Sequence, residues 1–128
     1  MRRNIVMLLI VILFFAEADR PQSRAYAKFD SRGNTIGLYN LMRERTGCRS
    51  WQGFGGTIRR MWSEPLDSKI SYQFTLDLGR RRLLIGFVLA QDELSRSVIE
   101  DIVNSDSRVS VRACDGGGRW YAEEITRK

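Results

Sequence analysis

The chain contains no histidine. That removes the commonest general base and the commonest metal ligand from any site it could build, and with them every Ser-His or Cys-His nucleophile arrangement. Cysteine is confined to Cys48 and Cys114, too few without histidine for a zinc site of the usual spacing. The carboxylates that remain as catalytic candidates come in adjacent pairs: Asp92 with Glu93, Glu100 with Asp101, Glu123 with Glu124. Neighbouring side chains diverge on a strand or helix, so these pairs read as solvated faces and helix caps. The expectation is a non-enzymatic protein with no cofactor and no metal. Acids are also outnumbered, 15 Asp and Glu against 21 Lys and Arg, for a formal charge of +6. A modest positive charge suits nucleic acid, anionic head groups or acidic glycans without choosing among them.

Long apolar runs are absent except at the N-terminus. Arg2 and Arg3 precede an unbroken apolar stretch from Ile5 to Ala16. Twelve residues fall short of the roughly 20 that span a bilayer. A run of this length behind two arginines has the form of an export signal. Two small-x-small cleavage sites follow it, Ala16-Glu17-Ala18 and Ala25-Tyr26-Ala27. The second lies beyond Pro21, in a polar stretch clear of the membrane, and is the site expected here, giving a signal peptide over 1–27. An uncleaved N-terminal anchor is the alternative. Removing residues 1–27 takes away Arg2, Arg3, Arg20 and Arg24 with Glu17 and Asp19, and leaves a formal charge of +4. Such a chain is periplasmic or secreted, with no stable membrane span after signal removal. Its even pair of cysteines suggests one disulfide, two buried free thiols being the alternative.

With 128 residues there is room for one domain. Residues 28–52 form a polar, arginine-rich N-terminal segment. Ile36, Tyr39, Leu41 and Met42 approximate an apolar stripe, with Asn34 as a cap and Gly47 as a stop, so a short helix or turn is expected there. From residue 53 the pattern becomes that of strands. Gly53, Gly55 and Gly56 open the first, which runs to Trp62, and glycines at such a place mark a bend or bulge. A loop is expected over Ser63–Lys69. Ile70, Tyr72, Phe74, Leu76 and Leu78 then alternate with Ser71, Gln73, Thr75 and Asp77, the pattern of a half-buried strand. Gly79-Arg80 makes a hairpin turn into the apolar strand Arg82–Leu89. Leu94, Val98, Ile99, Ile102 and Val103 recur at helical spacing over 92–104, with Asp92 as N-cap. Val109, Val111 and Ala113 belong to a fourth strand, Asp115 to Gly118 to a turn, and Trp120 to Thr126 to a fifth, in which Trp120, Ala122 and Glu124 oppose Tyr121, Glu123 and Ile125. Gly116-Gly117-Gly118 lacks the Lys-Ser/Thr of a phosphate loop and is a hairpin turn.

The order β-β-β-α-β-β over residues 53–126, with a glycine-rich first strand, resembles the OB-fold. The resemblance implies a five-stranded Greek-key barrel with its helix between strands three and four, an all-β domain with one helix over 53–128. In layout the chain is also similar to the exported binding subunits of cholera-toxin-type pentameric toxins. These carry a short N-terminal helix, a cysteine ahead of strand one and its disulfide partner on a late strand, where Cys48 and Cys114 fall. The likeness is one of layout, and no glycan pocket transfers from it.

The OB resemblance also implies a ligand face on strands two and three, flanked by two loops. Trp62 opens the first loop and Trp120 closes the second. Among the other aromatics, Trp51 and Tyr121 are candidates and Tyr72 shares the apolar face with Phe74. Arg59 and Arg60 on strand one and Arg80, Arg81 and Arg82 at the second hairpin could share one side of the domain, where guanidinium groups bind phosphate, sulfate or carboxylate. Solvated hairpin charge is the alternative. The function expected is an exported module that binds a glycan or an envelope or host protein, with a homo-oligomer as one form it can take. The alternatives are a basic nucleic-acid-binding domain, disfavoured by export, and a structural component of the envelope.

Overall fold

A computed structural model describes residues 24–42, 48 and 50–128 of the chain. Both halves of the Ala25-Tyr26-Ala27 motif lie within it, whereas Ala16-Glu17-Ala18 and the apolar run lie outside the described residues. Seven strands and one described helix follow in order: β1 (Tyr26–Phe29), β2 (Thr35–Tyr39), β3 (Trp51–Leu66), β4 (Lys69–Asp77), β5 (Arg82–Ala90), α1 (Arg96–Ile102), β6 (Arg108–Asp115) and β7 (Trp120–Arg127).

The strands make a single sheet in the order β1-β2-β7-β5-β4-β3-β6, and β6 is also hydrogen-bonded to β7. Five strands therefore form a ring, β3-β4-β5-β7-β6, from which the β1–β2 hairpin extends at β7. All pairings are antiparallel except β5 with β7. The 16-residue β3 belongs to two neighbours. Its first half, Trp51–Thr57, pairs with β6, and its second, Thr57–Leu66, pairs with β4. Gly56 sits at the change of partner, where a Cβ would run into the backbone carbonyl of Asp77. Arg59 is the extra residue of a bulge opposite Leu76 and Thr75, which adds bend and twist at the same place.

The inward face carries the alternation expected of β4: Tyr72, Phe74 and Leu76 are buried, as are Leu83, Ile85, Phe87 and Leu89 of β5. Tyr72 stacks on Phe87 with centroids 5.1 Å apart, and burial raises its hydroxyl pKa. Helix α1 closes on this core with Ile99 and Ile102, followed by Val103, none of them exposed. Cys48 and Cys114 are joined in a disulfide, their Cα atoms 5.8 Å apart across 66 residues of sequence.

Four expectations give way to the structure. The helix or turn headed by Asn34 is, over its described part, the strand β2. Thr35, Gly37 and Leu38 are buried there, and Leu38 pairs with Ala27 on one side and Ile125 on the other. Sheet pairing on both sides satisfies more backbone than an isolated short helix would; residues 43–47 lie outside the described residues. The expected loop at 63–69 shrinks to a two-residue turn, Asp67-Ser68, because β3 runs on through Pro65 to Leu66. Proline is tolerated there because this end of β3 pairs on one side only. The helix begins at Arg96 and is capped by Ser95, whose hydroxyl accepts from the Val98 N–H at 3.3 Å. Asp92 lies in the preceding turn. Finally, simple alternation fails in β7: Ala122 and Ile125 are both buried, because Glu123 is the extra residue of a bulge against Arg112 and Ala113.

Candidate functional site

Two of the arginines singled out from the sequence, Arg59 and Arg82, meet at one end of the ring around a carboxylate. Asp77 ends β4, and its Oδ1 accepts the Gly79 N–H at 2.9 Å. Arg59 Nε donates to Asp77 Oδ2 at 3.3 Å, and Arg82 Nε lies 4.0 Å from the same oxygen. The Gly79 N–H and the Arg59 guanidinium hold the Asp77 carboxyl below the usual carboxylate range. A second acid, Asp106, takes the Arg59 Nη1 at 3.1 Å. Register adds Arg108 to this end, since Thr57 lies between Arg108 and Asp77 across three strands. Two of the five predicted arginines thus face acids of the same chain. Arg80 and Arg81 are exposed in the β4–β5 turn, with no ion pair among the described residues. Arg60 lies over the Trp62 ring at 5.3 Å.

The predicted tryptophans part company. Trp62 pairs with Gln73, in the row next to Met61 and Phe74, which pack inward. Trp120 packs against the core and meets Phe54 edge to face, with centroids 4.9 Å apart. Its neighbour Tyr121 falls in the row of Trp62 instead. That row runs through six positions: Trp62, Gln73, Gly86, Tyr121, Cys114 and Trp51. At strand spacings near 4.8 Å, Trp51 and Tyr121 stand roughly 10 Å apart on either side of the disulfide-bonded Cys114.

Trp51, the most exposed of the three tryptophans at 39%, heads an open groove of ≈ 490 Å³ on β3, β6 and β7. Gly53 and Gly55 floor it, and nothing stands within 4 Å of where a Gly53 Cβ would be. Two register rows cross it, Gly53-Arg112-Glu124 and Gly55-Ser110-Thr126. Arg112 is held twice, over the Trp51 ring at 5.0 Å and against Glu123 at 3.1 Å. The Lys128 ammonium reaches over Gly55. The groove therefore combines an aromatic ring, a floor without side chains, hydroxyls, a carboxylate and two cations.

Composition alone could not find this place. Gly53 and Gly55 signal a bend in the sequence, and only the pairing of β3 with β6 turns them into a floor. Trp51 precedes the expected strand by two residues and becomes its first residue because the Cys48–Cys114 bond holds it against β6. Among the described residues there is no cluster of acids and cysteines able to hold a metal ion, and no helix long and apolar enough to cross a membrane. Comparison with protein-family models, curated proteins and solved structures returns no match to this chain.

Proposed function

We propose that the chain is an exported, non-enzymatic binding module built on an OB-type Greek-key barrel, and that its ligand is a glycan taken up on the outer face of β3, β6 and β7. The barrel reading is supported by the ring order β3-β4-β5-β7-β6, by the parallel β5–β7 contact and by a helix placed between β5 and β6, the arrangement implied by the OB resemblance. The disulfide suits an oxidising compartment.

One observation carries the ligand class: the exposed Trp51 ring opening onto a glycine floor flanked by Ser110, Arg112, Glu124 and Thr126. A sugar ring needs an apolar face to stack on and polar groups at its rim for its hydroxyls. Glycines let that ring approach the backbone. Nucleic acid would draw instead on unpaired cations along its phosphates. Here Arg59, Arg82 and Arg112 already face acids of the same chain. Arg80 and Arg81 favour a polyanion reading, and a salt series separates the two.

The test is an oligosaccharide microarray probed with the disulfide-bonded protein, run beside single-stranded DNA at about 50 and 200 mM salt. Glycan binding that changes little with salt supports the proposal. Binding to DNA alone, falling steeply over that range as counterion release requires, would replace it with the nucleic-acid reading.

A further inference from the structure

Residues 24–29 bear on where an export signal can be removed. Signal removal at the Ala25-Tyr26-Ala27 motif would cut after Ala27, through the middle of β1. Ala25 is 5% exposed, and its N–H donates to Glu93 Oε2 at 3.1 Å. The other oxygen of the same carboxylate accepts the Ala90 N–H at 3.0 Å. Glu93 thus ties the entry to β1 to the end of β5. Tyr26 stacks on Tyr39 with centroids 5.3 Å apart and pairs with it across the hairpin, and Ala27 pairs with Leu38. Asn40 Nδ2 donates to the Arg24 carbonyl at 3.0 Å. A chain starting at Lys28 would lose the Ala25–Glu93 and Arg24–Asn40 hydrogen bonds, the Tyr26–Tyr39 stack and the Tyr26 and Ala27 pairings, and would keep two of the four residues of β1.

We propose that the export signal is cleaved between Ala18 and Asp19, at the Ala16-Glu17-Ala18 motif, and that residues 24–27 stay in the mature protein as part of the fold. The step is a peptide hydrolysis by the host's signal peptidase. Water supplies the hydroxyl that completes the Ala18 carboxylate and the proton that completes the Asp19 amine, and nothing is oxidised or reduced. The proposal rests on reading the N-terminal apolar run as an export signal and is independent of the ligand.

The experiment is expression of the full chain in a bacterial host with a periplasm, followed by intact-mass measurement and N-terminal sequencing of the exported form. The expected N-terminus is Asp19. An N-terminus at Lys28, or an exported chain that keeps Met1, overturns the proposal. Two variants sharpen it. Ala18→Phe, which places a bulky side chain where the peptidase requires a small one, should abolish processing and leave the full-length mass. If cleavage then still occurs after Ala27, the inference fails. Purified chains beginning at Asp19 and at Lys28 give the structural half, with the Lys28 form expected to melt at a clearly lower temperature. Equal melting would show that residues 24–27 contribute nothing to the fold.

Discussion

Single side chains bear on the acid stability of this protein and on the path of its longest strand. Asp77 illustrates the first. Its carboxyl is held below the ordinary range by the Gly79 N–H and by Arg59. A carboxyl with a folded pKa below its unfolded value stabilises the fold above about pH 4 and loses that contribution as pH falls through the lower folded value. Asp77→Asn should therefore lower the melting temperature at neutral pH and flatten its decline below pH 4. Melting curves of both proteins between pH 2 and 7 check this, and parallel acid limbs would contradict it. Gly56 is the second case. Any side chain there meets the Asp77 carbonyl as β3 crosses from β6 to β4. Gly56→Val should cost about 1–3 kcal/mol or more in denaturant unfolding, as overpacking does. A neutral result would mean the strand crossing is looser than described.

At the scale of elements, the Cys48–Cys114 bond decides how β3 begins. It closes a 66-residue separation, for which chain entropy gives stabilisation on the order of 4 kcal/mol. Reduction should lower stability by about that amount and release the head of β3 with Trp51. The checks are denaturant unfolding with and without reductant and the Trp51 contribution to fluorescence. The sequence made much of this level legible. Strict alternation in Tyr72, Phe74 and Leu76 marked β4, an unbroken apolar run marked β5, and helical spacing marked α1. Features set by partners elsewhere in the chain were not legible. Thr35–Tyr39 has the residues of either a helix or a strand until Leu38 finds Ala27 and Ile125. Bulges at Arg59 and Glu123 reset alternation, and no local signal distinguishes them from ordinary strand residues. The same holds for the site. Arg59 on the first strand and Arg82 at the second hairpin could be placed on one side of the domain, but their capture by Asp77 depends on register. Trp120 packs against the core for the same reason.

For the molecule as a whole, the β6–β7 pairing closes the five-strand ring and leaves β1 of the β1–β2 hairpin as the edge of the sheet, with Trp51, Gly53 and Gly55 exposed on the outside of β3. Under the proposed reading, the exposed Trp51 ring at the head of a glycine-floored groove supplies the shape that a ligand takes. The most direct test places wild type and Trp51→Ala side by side on the same oligosaccharide microarray, with Arg80→Ala/Arg81→Ala as the charge control and thermal melting to confirm that all three fold. The account predicts glycan binding by wild type and by the double arginine variant, and its loss in Trp51→Ala at an unchanged melting temperature. Glycan binding that survives in folded Trp51→Ala, or that disappears with Arg80 and Arg81, would contradict it.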